Sequence, residues 1–254
     1  IHRWADGVDL YFLANPEEST RNVEAMFRAG GKKPELWDPV TGEHRDAVAY
    51  RQVNGRTVLP LEFAPYGSMF VVFQKPIPTN TAGPAKRNFP VDSDSWEIGG
   101  PWTVSFDPRW GGPEEVRFEK LEDWTLRVEE GIRFYSGRAV YRKKFDRPES
   151  LNQPGKRVYL DLGEVKNLAE VRLNEEDLGV VWCAPWRVEI TEAVKSIDNH
   201  LEIGVVNLWS NRLIGDAALP VEKRFTMTNV TEFLKNAPLH ESGLLGPVTI
   251  RVAE

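Results

Sequence analysis

Trp182, Trp186 and Trp209 stand in stretches that read as loops, each beside groups that can hydrogen-bond: Arg187 follows Trp186, and Asn211, Arg212 and Asp216 follow Trp209. A loop indole offers a flat apolar face. With guanidinium, amide and carboxylate groups next to it, such a set suits a polyhydroxylated ring, the indole stacking and the polar groups binding hydroxyls. The competing reading is that the same side chains pack the loops together, with Arg212 paired to Asp216. In that reading the tryptophans cover one end of a domain or an interdomain surface, where Trp and Arg are the usual anchors. Asp92 and Asp94, one residue apart, present the hard oxygen ligands that Ca²⁺ takes, without the rest of an EF-hand loop. No cofactor is required, and a structural calcium is the one metal these two residues leave room for.

Much chemistry is excluded. The sequence contains no His-Glu-x-x-His, no phosphate-cradling glycine loop with its lysine, no Cys-x-x-Cys and no Gly-x-Ser-x-Gly elbow. Its four histidines, His2, His44, His200 and His240, are scattered, and no pair of carboxylates is singled out for acid/base work. Cys183 is the only cysteine, so no internal disulfide or cysteine-based zinc site can form. A formal charge of −6 with interspersed signs gives no basic stripe for a phosphate backbone, which argues against nucleic acid as a partner. No apolar run reaches the ~18 residues of a membrane span, and no signal-peptide pattern opens the chain. The start at Ile1 rather than Met reads as a piece cut or matured from a longer polypeptide. Asn229-Val230-Thr231 matches a glycosylation acceptor, but Thr228 or Thr231 capping a short helix is the simpler use.

The elements that must position these residues are strands. Residues 1–75 alternate apolar and polar positions at Val8, Leu10 and Phe12. They carry an Asn54-Gly55 signal for a two-residue hairpin and end on the apolar run Ser68 to Phe73. This reads as a small antiparallel β-sandwich, with its completeness at the first strands left open. Residues 76–95, with Pro76, Pro78, Gly83, Pro84 and Pro90, read as a linker. From 96 to 254, strands are expected at Trp102–Phe106, Ala139–Phe145, Arg157–Leu162, Ala169–Leu173, Leu178–Trp182, Arg187–Ile190, Leu201–Val206 and Val248–Val252, a sandwich or jelly roll of about eight strands. Only Thr191–Lys195 and Val230–Lys235 look helical. Asn174 fits a turn, and Gly179 a close backbone approach in the strand that follows. Nine tryptophans are many for 254 residues, and core packing is the default expectation for any one of them.

The segment from Tyr135 to Asp216 resembles the sugar-binding β-sandwich of family 2 glycoside hydrolases and the related domain of bacterial family 106 α-L-rhamnosidase-like proteins. The resemblance rests on Gly137-x-Ala139-x-Tyr141, on Glu170-Val171-Arg172-Leu173-Asn174 with Gly179, on Trp182 to Trp186, and on Asn199 before Leu201-Glu202-Ile203. Asn207 to Asp216 is similar to the family 106 kind in particular. The resemblance covers Trp96 to Val252. More weakly, through Pro34-Glu35-Leu36-Trp37-Asp38-Pro39, the stretch Tyr11 to Phe73 resembles the β-rich segment behind the catalytic barrel of such proteins.

What the resemblance implies is an all-β chain, a small sandwich followed by a galactose-binding-like jelly roll, from a secreted (periplasmic or extracellular) bacterial glycoside hydrolase whose catalytic acids lie in a barrel elsewhere. Strand–helix repeats of a barrel do not occur in the sequence, so no catalytic residue is assigned. The expected role is a non-catalytic accessory region that binds carbohydrate or braces the barrel. Two other readings stay open: a free-standing carbohydrate-binding module, which needs an exposed aromatic platform, and a self-contained β-sandwich hydrolase or lyase, which needs converging carboxylates or a His with a Tyr.

Overall fold

In the computed structural model, which describes residues 1–229 and 236–253, the chain divides into two units, Ile1–Val91 and Asp92–Glu254. The first unit holds, among its described residues, β1 (His2–Ala5), β2 (Val8–Ala14), β3 (Arg21–Phe27), β4 (Lys32–Trp37), β5 (His44–Asp46), β6 (Arg51–Val53), β7 (Arg56–Phe63) and β8 (Ser68–Pro76). They form a five-stranded sheet, β1-β2-β8-β4-β5, and a three-stranded sheet, β3-β7-β6. Alternation along β7 turns Leu59, Leu61 and Phe63 inward. They meet Leu36, Val71 and Phe73 from the larger sheet, so the small sandwich closes on its own core. Asn54 and Gly55 have φ of 52° and 71°, as a tight hairpin between two right-twisted strands requires.

The Pro-rich stretch does not run as the expected linker over 76–95. Residues 77–91 are stitched to the first unit. The Asn88 side chain accepts from the backbone N–H of Val48 and Ala49 and donates to the carbonyls of Ala49 and Pro60. Phe89 packs on the core beneath Arg45. Residues 92–95 already belong to a strand of the second unit. Few apolar side chains were needed, because one buried amide satisfies four backbone groups that would otherwise have been left unpaired.

The second unit continues with β9 (Asp92–Glu97), β10 (Trp102–Ser105), β11 (Val116–Phe118), β12 (Arg138–Phe145), β13 (Arg157–Asp161), β14 (Glu164–Lys166), β15 (Leu168–Leu173), β16 (Glu176–Val181), β17 (Arg187–Glu189), β18 (Asn199–Val206), β19 (Gly243–Gly246) and β20 (Thr249–Ala253). A six-stranded antiparallel sheet, β11-β10-β12-β18-β15-β16, faces the four-stranded β17-β13-β20-β9, and β14 pairs with β19. Val104, Tyr141, Ile203, Val205 and Val171 from one sheet interdigitate with Val158, Leu160, Ile250 and Val252 from the other. All eight strands expected from the sequence are present within one or two residues. The unexpected ones, β9, β11, β14 and β19, are short or polar, so their pairing is set by neighbours rather than by periodicity.

Among the described residues, the helices are α1 (Glu130–Arg133) and α2 (Ser210–Ala217), with short 3-10 turns. The expected helix at Thr191–Lys195 is a single turn closed by Val194 N–H on the Ile190 carbonyl, and Val230–Lys235 lies outside the described residues. The sequence gives no sign of α2. Ser210 through Asp216 are all buried, so the polar side chains Asn211, Arg212 and Asp216 face other protein groups rather than solvent, and the helix is too short for its pattern to stand out in the sequence. Gly179 has φ of 85° and open space where a Cβ would stand, so the backbone conformation of a bulge, not close approach, selects glycine there.

Candidate functional site

The first turn of α2 carries Arg212, which is 5% exposed. Its guanidinium is held from several directions. Nε lies 3.0 Å from Asp216 Oδ1 one helical turn on, and the guanidinium lies over the Phe225 ring at 4.8 Å from the centroid. Nη2 lies where a Cβ on Gly215 would stand, 2.5 Å away, so glycine at 215 makes the room. Asp216 turns its other oxygen to Thr226, accepting from the backbone N–H at 2.7 Å and from Oγ1 at 2.6 Å. The Nε to Oδ1 contact is a charge pair without hydrogen-bond alignment. Burial lowers the proton affinity of Arg212, and Asp216 and Glu130 draw it back up. A guanidinium keeps its charge under such opposing influences.

Arg212 opens on a pocket of about 440 Å³. Trp209, 61% exposed, and Trp110, 41% exposed, stand on its walls with Met227 and Leu213, and Ser136, Gly137, Asn207 and Thr226 supply polar groups. Each wall has a local cause. Trp110 closes a 3-10 turn capped by Asp107, and Gly111 (φ 84°) lets the Phe225 ring lie against that turn. Asn207 accepts from Gly137 N–H and donates to the Tyr135 carbonyl and Ser242 Oγ, which pins the 135–137 loop. Ser136 Oγ accepts from the Arg212 N–H, tying that loop to the helix start. An aromatic-flanked concavity with a fixed cation and hydroxyl and amide groups is suited to a sugar ring.

The remaining sequence-derived candidates lie elsewhere or are engaged. Asn211 is 1% exposed; it donates to the His240 carbonyl and Ser242 Oγ and accepts from His240 N–H, so it clamps a loop and is not open to a ligand. Asp216 is likewise engaged by Arg212 and Thr226. Trp186 packs partly buried on the core, whereas Trp182 is 57% exposed; neither lines the pocket. Arg187 forms an ion cluster with Asp92, Asp161 and Arg251 on the outer face of the four-stranded sheet. A candidate sugar ligand and a candidate calcium ligand therefore meet each other. Asp92 carries two guanidinium groups, and Asp94 accepts from Gln153. No group of three potential metal ligands occurs among the described residues. Trp110, Ser136, Asn207 and Thr226 escaped the sequence reading. They come from four distant stretches, and only folding brings them together.

Comparisons with known proteins bear on the same region. Residues 1–52 match the alpha-L-rhamnosidase family model of glycoside hydrolase family 106, and residues 119–241 match the glycosyl hydrolase 2 galactose-binding domain-like family. The second match lies within the second unit, so it is there that the chain resembles a glycosyl hydrolase 2 galactose-binding-like domain. The matched stretch contains α2 and most of the pocket. A rhamnosidase from Novosphingobium sp. PP1Y is similar over 100% of this chain and 23% of its own, with TM-score 0.88 and 36% identity. A putative beta-glucuronidase of Formosa agariphila is 36% identical over 178 residues, 61% of this chain and 15% of that protein. The chain thus spans under a quarter of either protein. No strand–helix barrel occurs among its described residues, and no described helix is long and apolar enough to cross a membrane.

Proposed function

We propose that this galactose-binding-like domain holds a saccharide for a glycoside hydrolase of which the chain is a non-catalytic part. The pocket between Trp110 and Trp209, with Arg212 at its inner side, carries the reading. Two partly exposed indoles offer apolar ring faces, and the groups around them are fixed by internal hydrogen bonds before any ligand arrives. The partners are carbohydrate and the catalytic barrel of the parent protein, in the periplasm or outside the cell; the resemblance to rhamnosidases supports all three. The two relatives are named for different sugars, one for a rhamnoside and one for a glucuronide, so the names alone leave the saccharide open.

Calorimetric titration of the purified chain with rhamnose-, galactose- and uronate-containing saccharides tests the proposal. Saturable heat that is lost in Trp209→Ala, with the fold intact by circular dichroism, is the expected result. Exposed Leu208, Trp209, Val221 and Met227 favour a second reading, a surface that docks on the parent protein. No heat with any saccharide, and no change in indole fluorescence, would leave that bracing role as the function.

A further inference from the structure

We infer that the pocket is selective for a saccharide bearing a carboxylate, that is, a uronic-acid residue; the inference rests on the carbohydrate-binding reading above. Arg212 is the only charged side chain among the described residues that line the pocket. Asp216 occupies its Nε side and Phe225 one face, and its two terminal nitrogens make no hydrogen bond among the described residues. A planar, immobilised guanidinium with free N–H groups is matched by a planar carboxylate, which can accept two parallel hydrogen bonds. Hydroxyl groups would use the same donors less well.

The placement of α2 adds a second and independent cause. This helix begins at the pocket: its N-cap residue is Trp209 and no side chain of its own caps it, while Ser136 Oγ takes the Arg212 N–H from across the pocket wall. The partial positive charge of a helix start therefore acts on the same space as the Arg212 cation. Asp216, the acid nearest to Arg212, lines with Arg224 the adjoining concavity that shares Trp209, Leu213, Thr226 and Met227 with this pocket, and its oxygens are taken by Arg212 and Thr226. Trp110 and Trp209 favour a sugar over an acidic peptide as the bearer of the carboxylate, because both indoles line the pocket together with the cation.

The test is a set of matched titrations of the full chain: methyl glucuronide and methyl galacturonide against methyl glucoside and methyl galactoside, with the uronide methyl esters and acetate as further arms. Tighter binding of the uronides than of their neutral counterparts and esters, by about tenfold or more, with loss in Trp209→Ala, is expected. Arg212→Lys, which keeps the charge and loses the fork, should remove most of that preference. Equal affinity for uronides and neutral glycosides overturns the inference and leaves the carbohydrate-binding reading standing. Absence of binding by every saccharide overturns both. Acetate binding as tightly as the uronides assigns the site to a bare carboxylate and sinks the sugar part. If the lysine variant does not fold, the ester comparison decides, since it changes the ligand alone.

Discussion

Arg212 shows how one buried charge organises its surroundings. The Asp216 pair, the Phe225 ring and the bare Cα of Gly215 together fix the guanidinium. Gly215→Ala tests this directly. In most helices the change would be stabilising, but here the new methyl would meet Arg212 Nη2 at 2.5 Å and Phe134 Cβ at 2.7 Å. A loss of about 1–3 kcal/mol is expected in urea denaturation, together with weaker saccharide binding. Tyr141 makes the second residue-scale case. It is wholly buried, its hydroxyl accepting from Trp124 Nε1 and from Leu244 N–H, and burial pushes its ionisation well above the usual phenol range. Unfolded, the phenol ionises near its ordinary value of about 10. The folded state therefore retains a proton that the unfolded state loses, and this contribution is complete below that pH and declines above it. Stability should fall by up to about 1.4 kcal/mol per pH unit from this group alone, measured as urea midpoints between neutral and alkaline pH.

At the scale of elements, the hairpins show what turn chemistry can settle. Both Asn54-Gly55 and Asn174-Glu175 adopt positive φ at two consecutive residues, but Glu175 does so at 73° with a side chain that gains nothing from it. Asn174 is anchored, donating to the Ala193 carbonyl and Asn199 Oδ1 and accepting from His200 N–H, so the register of β15 and β16 does not depend on Glu175. Glu175→Gly should stabilise the second unit by about 0.5–1 kcal/mol, left-handed strain relieved less the flexibility of glycine when unfolded; an unchanged midpoint would show that the strain is absorbed elsewhere. Helix α2 is the contrary case. Its sequence, Ser-Asn-Arg-Leu-Ile-Gly-Asp-Ala, reads as a loop, and the surrounding side chains rather than a solvent-facing stripe make it helical.

For the whole molecule, the boundary between units is the testable feature. β9 begins at Asp92, and that carboxylate receives Arg187 and Arg251, which also reach Asp161 of β13, so four strands of one sheet are tied by charge as well as by ladder bonds. A fragment of residues 92–254 should unfold cooperatively, because its core lies wholly between Ile98 and Val252. The fragment 96–254 removes Asp92 and Asp94 and leaves two half-buried guanidinium groups to share Asp161. It should be less stable by about 2 kcal/mol or more, read from the difference in urea midpoints. Equal stability would mean that Asp161 suffices.

Alternation and turn residues were enough to place the eight main strands of the second unit, the Asn54 hairpin and the all-β class, because a half-buried strand writes its inward face into every second residue. The same sequence pointed to Trp209 and Arg212, since an indole and a guanidinium near one another are informative wherever they stand. It also anticipated the Arg212–Asp216 pair, four residues apart. What it could not show was that Trp110, Ser136, Asn207 and Thr226 join them, or that Asn211 is sealed and Arg187 committed to Asp92. Those outcomes depend on which distant segments touch. Nor did the proline count reveal that residues 77–91 pack on the first unit, because one buried amide, Asn88, holds them there. Periodicity records which face of an element is buried; it carries no information about what lies against that face, and a site built from loops is decided there.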